Sequence, residues 1–166
     1  LVAWLIAMTL ALGQGEFFVR LPAVLAWAVM LAFVAAFAHD LAGRGNALRS
    51  ALLAATLPFF FGIGVLMTPD APLAAAWAAA LFWLHRALLG GRQTAWLGAG
   101  VAIGIGMLSK YSMVLVPAAT LAFMIVDAPS RRLLLSPWAW GGALIALLVF
   151  APVIVWNIQH DWASFA

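Results

Sequence analysis

Apolar residues run almost without interruption through this chain, and its ionisable residues are confined to short breaks between the runs. Hydrophobic residues make up 67% of the 166 positions and charged residues only 8%, with a mean hydropathy of +1.13. A soluble domain of this size needs far more polar surface, so the pattern predicts a polytopic membrane protein. Within a bilayer every backbone amide must find a partner inside its own segment, which leaves helices as the economical solution for runs of this length. The expected fold is therefore all-α, a polytopic transmembrane helical bundle. Nine Trp and eleven Phe fit a bundle with aromatic interfacial belts. Eight basic residues scattered along the chain form no patch that would grip nucleic acid. Cysteine is absent, which excludes a disulfide framework and a thiolate metal site.

Run lengths predict about six spans: Phe17–Ala38, Ser50–Met67, Ala71–Leu89, Thr94–Leu108, Tyr111–Val126 and Trp138–Trp156. Leu1–Leu12 is too short to cross and is read as an interfacial helix. The organisation expected is a single transmembrane domain over 1–166, with an outer juxtamembrane segment at 1–15, spans over 17–156 and an outer loop at 157–166. Leu1 is not an initiator methionine and no basic segment precedes the first apolar run, so the chain is read as part of a longer protein. If each run crosses once, Arg44, Arg49, Arg86, Arg92, Arg131 and Arg132 share one side, and Arg20 and Lys110 the other. The arginine-rich side is expected to be cytoplasmic. Glu16, Asp70, Asp161 and His160 then gather with Lys110 and Arg20 at the outer face, a natural place for a reaction site.

Individual residues carry competing readings. In "MTPDAPL", Thr68 is expected to cap the following helix, Pro69 to take its first position, and Asp70 to favour the positive helix end. Asp70 is equally a carboxylate held rigidly at the mouth of the bundle. Lys110 interrupts "GVAIGIGMLSKYSMVLV"; it either snorkels to the interface beside Tyr111 or binds an anion such as a lipid phosphate. Thr94–Leu108 rises only about 22 Å as a helix, against a core of roughly 30 Å, which favours a recessed connection at Lys110. Gly98, Gly100, Gly104 and Gly106 do not follow the dinucleotide fingerprint, and Gly100-x-x-x-Gly104 predicts close helix packing. Glu16 and Arg20 stand four apart, as a helix-surface ion pair does. His160 and Asp161 offer two metal ligands without a third, so no cofactor is assigned and a divalent metal stays open.

"EFFVRLPAVL", "LMTPDAPL", "GMLSKYS" and "PVIVWNIQHDWASF" resemble, in the same order, motifs of family 39-like glycosyltransferases. These are the bacterial relatives of protein mannosyltransferases and of the lipid A aminoarabinose transferase, with the GT-C membrane fold. The resemblance implies a polyprenyl-phosphate sugar as donor and a lipid, glycan or protein as acceptor. It implies transfer at the outer face of a bacterial cytoplasmic membrane. It places Asp70 near the catalytic site and maps Lys110 and Arg20 onto motif positions; these two, with Tyr111, are read as the residues that meet the lipid phosphate. His160, Asp161 and Asn157 fall on the acceptor side. In the family an acidic pair, the principal catalytic base, precedes the stretch that Leu1–Leu12 resembles, so this chain alone is expected to be inactive. The competing class is a multi-pass transporter or a non-catalytic bundle, which should carry ionisable groups near the midplane.

Overall fold

The computed structural model describes residues 1–164; Phe165 and Ala166, the end of the expected 157–166 loop, lie outside the described residues. Eight α-helices follow one another: α1 (Val2–Leu10), α2 (Glu16–Ala42), α3 (Arg44–Thr56), α4 (Pro58–Val65), α5 (Asp70–Leu88), α6 (Ala95–Ser109), α7 (Leu115–Val126) and α8 (Pro137–Gln159). Short 3₁₀ turns at Tyr111–Val114 and Ser130–Leu135 flank α7. No strand occurs among the described residues, so the all-α expectation holds.

The span count is lower than the six expected. Among the described residues, only α2 and α8 are long and apolar enough to cross a membrane. α3 and α4 add a third crossing only if taken together, and they bend by 72° at their junction. The cause is local. Pro58 supplies no amide hydrogen, and it pushes Leu57 into an extended conformation (φ −65°, ψ 126°). α6 and α7 stop short because the chain breaks at Lys110, where the backbone is extended (φ −156°, ψ 134°). Between the first two spans only Gly43 lies outside a helix, and its φ of +82° lets α3 start directly after α2.

α6 is the centre of the bundle, packed between α5 and α8. Lipid offers helices no hydrophobic drive to associate, so close van der Waals approach must hold them. The glycines provide it, as their spacing predicts. A Cβ on Gly98 would lie 2.7 Å from the Trp83 ring of α5, and one on Gly104 would lie 2.6 Å from Val149 of α8. A Cβ on Gly100 would overlap the backbone carbonyl of Gly142 outright. Alanines continue the same surface: Ala76, Ala79, Ala80, Ala99 and Ala102 are buried in one cluster with Trp96 and Met113. The order of these contacts makes α6 and α8 parallel. A smaller cluster of Ala23, Ile63 and Ala71 joins α2, α4 and α5 near the opposite end from Gly43. α1 leans on α2, where the Thr9 hydroxyl donates to the Phe18 carbonyl at 2.6 Å.

Gly100→Ala should lower stability by about 1–3 kcal/mol, because a methyl group has no room at a backbone contact. Gly141→Ala should cost less than about 0.5 kcal/mol, since the atom nearest its Cβ is 3.7 Å away on Leu97. Thermal melting in detergent measures both, and equal melting temperatures would mean that α6 and α8 do not meet at Gly100.

Candidate functional site

Asp70 is the first residue of α5, in the turn where the helix dipole favours a carboxylate. Thr68 does not cap this helix as expected. Pro69 takes the N-cap position with helical dihedrals (φ −57°, ψ −21°), and no side chain caps the end. The Thr68 hydroxyl instead points inward, buried and without a hydrogen-bond partner. Pro72, one turn on, is buried and helical, so the start of α5 is stiff on both sides of the carboxylate.

The end of α6 meets this helix start. The Lys110 ammonium lies 2.9 Å from the Asp70 carboxylate. The neighbouring Ser109 hydroxyl donates to the Pro69 carbonyl at 2.6 Å. Residues 40 apart in sequence thus form a double link between α5 and α6. The pair is only part-buried, with side-chain exposures of 52% for Lys110 and 38% for Asp70. A half-solvated pair of this kind is worth up to about 1 kcal/mol. It orients both groups without locking them, and an ammonium with three donors keeps two for another anion.

Asp70 also stands in the wall of a groove of about 360 Å³ between α2, α4 and α5. Met30, Val34, Phe59, Phe60, Trp77 and Leu81 supply its apolar walls. From Asp70 to Leu81 the groove follows α5 for about 16 Å. The Trp77 indole N–H is buried without a partner, an unusual state for a polar atom. The arrangement is an oily slot with a carboxylate and an ammonium at one end, suited to a long apolar molecule with an anionic head.

The other sequence candidates are placed around this centre unequally. Arg20 lies one turn from Ala23, at the same end of the bundle, with its guanidinium on Glu16 as the spacing predicts. Tyr111 follows Lys110 directly, and its ring stands edge-on to Phe150 at 6.1 Å. At the end of α8, His160 stacks on Trp156 at 4.3 Å, and its Nδ1 is hydrogen-bonded to the Trp156 carbonyl. Asp161 is exposed in a left-handed conformation (φ +50°). Asn157 is buried, its amide donating to the Val153 carbonyl and accepting from the Ser164 N–H; it braces the turn after α8. Among the described residues no hydrogen bond or ion pair joins these three to Asp70 or Lys110, and no three His, Cys, Asp or Glu side chains converge.

A second ionic cluster closes the opposite end. Arg86 binds Asp40 through two nitrogens, at 2.5 and 3.1 Å, and lies over the Phe82 ring at 4.1 Å. His39 Nδ1 is 3.7 Å from Asp40. The sequence marked Arg86 only as a topology signal. The placement of Asp40 and Arg86 at matching ends of two runs was the clue to the pair. Because α2 and α5 end together here and α8 begins beside the start of α6, the six arginines from Arg44 to Arg132 belong to one end of the bundle. Lys110 and Asp70 belong to the other.

A family model for dolichyl-phosphate-mannose-protein mannosyltransferases matches residues 1–156 of the chain. No curated protein and no solved structure matches it.

The two ends can be told apart by labelling, since the chain has no cysteine of its own. In sealed vesicles of one orientation, an impermeant thiol reagent should treat Gly45→Cys and Gly91→Cys alike and Ser112→Cys oppositely. Equal labelling of Ser112→Cys and Gly91→Cys from one side would contradict the two-ended arrangement.

Proposed function

The chain belongs to the dolichyl-phosphate-mannose-protein mannosyltransferase family of membrane glycosyltransferases, and from that premise we propose a donor, a site and a side for its reaction. The donor is a polyprenyl-phosphate sugar. Its lipid lies along the α2–α4–α5 groove and its phosphate meets Lys110, with Arg20 and Tyr111 in support. The acceptor is a lipid, glycan or protein hydroxyl, approached from the side of His160 and Asp161. The bundle sits as one transmembrane domain, with 1–15 and the turn after α8 outside the spans. Its arginine-rich end faces the cytoplasm of a bacterial cell, and Asp70 faces the outside.

One observation carries this reading: the ammonium 2.9 Å from a carboxylate that also lines an apolar groove. In the reaction the acceptor oxygen attacks the anomeric carbon, and the bond from that carbon to the phosphate oxygen breaks. The hydroxyl proton passes to a carboxylate, and polyprenyl phosphate leaves with the bonding electrons. Negative charge grows on the leaving phosphate, so a fixed cation there stabilises the transition state more than the ground state. Lys110 can hold Asp70 and phosphate at once. Asp70 orients the acceptor hydroxyl or supports the base that deprotonates it. Charges collected at the two ends of the bundle, with apolar walls between, argue against the transporter reading, which needs polar groups at the midplane.

In the full enzyme, Asp70→Asn should cut transfer by a factor on the order of 100 with little change in melting temperature. Lys110→Gln should weaken binding of polyprenyl phosphate, and Lys110→Arg should retain part of it because the charge survives. Turnover by Asp70→Asn and carrier affinity of Lys110→Gln, each measured on purified protein in nanodiscs, check the two roles. Wild-type values would leave Asp70 a turn residue and Lys110 an interfacial anchor.

A further inference from the structure

A second groove, of about 420 Å³, runs between α6, α7 and α8, away from Asp70. Trp96, Ile103, Pro117, Met124, Leu134 and Ala143 are among its walls. Its floor is the Gly100–Gly142 backbone contact, where absent side chains leave the depth. The hydroxyl in the wall, Thr120, donates to the Val116 carbonyl at 2.8 Å, so it presents little to a polar guest. From Trp96 to Met107 the groove follows α6 for about 16 Å. That is about half of a hydrocarbon core of roughly 30 Å, the depth of one leaflet.

The groove extends from Met107 and Val114 to Trp96, Leu134 and Trp140 at the arginine-rich end, and the surface beside that end is cationic. The 3₁₀ turn Ser130–Leu135 carries Leu134 into the wall and leaves Arg131 and Arg132 exposed beside it. Arg131 Nε donates to the Ile125 carbonyl at 2.7 Å, next to the wall residue Met124, which holds the guanidinium at the rim. Its terminal amino groups, and the whole guanidinium of Arg132, make no bond among the described residues. Trp140 completes the rim: 67% exposed, its indole N–H is fastened to the Leu134 carbonyl at 2.9 Å. An apolar slot one leaflet deep, under two fork-shaped cations and an interfacial indole, has the features of a lipid site rather than of a sugar or peptide site.

We propose that this groove binds an anionic glycerophospholipid from the leaflet at the arginine-rich end. One acyl chain fills the slot between α7 and α8, and the phosphate diester is held by Arg131 and Arg132. Its phosphate end lies at the opposite end of the bundle from Asp70 and Lys110, so the headgroup contacts are separate from the transfer site.

The test is native mass spectrometry of the full enzyme in detergent, titrated with phosphatidylglycerol or with phosphatidylcholine of the same chains. Phosphatidylglycerol should bind on the order of tenfold more tightly. Arg131→Gln/Arg132→Gln should abolish that preference. Ala143→Phe, which puts a ring into the slot at an exposed position, should weaken both lipids. Arg132→Gln alone should remove part of the preference, and it covers the case in which losing the Arg131 bond to Ile125 unfolds the turn. Equal binding of the two lipids, or a preference that survives the arginine changes, would overturn the proposal. So would unchanged binding by Ala143→Phe, or displacement by inorganic phosphate alone, since either leaves a simple anion site. A dimer that phosphatidylglycerol cannot dissociate would assign the groove to a second copy.

Discussion

The contact of Gly100 with Gly142 is the constraint from which the rest of the arrangement follows. Between helices surrounded by lipid, attraction comes from close packing, and only residues without side chains allow backbones to touch. That contact brings α6 flush against α8, while Gly98 receives Trp83 and draws α6 onto α5. With α6 held on both sides, its end has one position available. Ser109 falls on the Pro69 carbonyl and Lys110 on Asp70. The same glycines open the groove under Arg131 and Arg132. Small side chains in the middle of the chain thus position charges at both ends.

Those charges differ in role because their own geometry and exposure differ from one end of the bundle to the other. Arg86 and Asp40 form a two-pronged pair over an aromatic ring, with side-chain exposures of 25% and 18%. Such a pair fixes α2 against α5 and has little freedom to bind anything else. Lys110 and Asp70 form a single contact between more exposed groups. A weaker pair of this kind suits a site that must open to a phosphate and close again. Rigidity at one end and exchangeable contacts at the other are what a transferase needs if its lipid donor enters along the bundle wall.

Much of this was legible in the residues before any coordinates. The Gly100-x-x-x-Gly104 spacing predicted close packing because glycine has few other uses in an apolar helix. Asp70 and Lys110 stood out because an isolated charge between apolar runs needs a reason. The Glu16–Arg20 pair followed from helical spacing alone. What could not be read has physical causes too. The number of spans was overcounted because hydropathy measures composition, whereas the Leu57–Pro58 break and the extended backbone at Lys110 decide where helices end. The Thr68 cap failed because Pro69, with helical dihedrals of its own, takes the N-cap position and the helix starts at Asp70, one residue later than expected. The burial of Asn157, whose amide bonds the backbone of its own turn, is likewise not visible in composition. The Asp40–Arg86 pair depends on which faces of α2 and α5 meet, which all-round apolarity conceals.

The central claim is that Asp70 and Lys110 act as one unit in sugar transfer. A double-mutant cycle on transfer rate measures this directly, using Asp70→Asn, Lys110→Gln and the combined variant of the full enzyme. If the two groups share one task, the combined variant should be no slower than the worse single variant, as groups acting as a unit behave. Losses that multiply, so that the combined variant falls by the product of the two single effects, would show that the contact seen between them plays no part in the reaction.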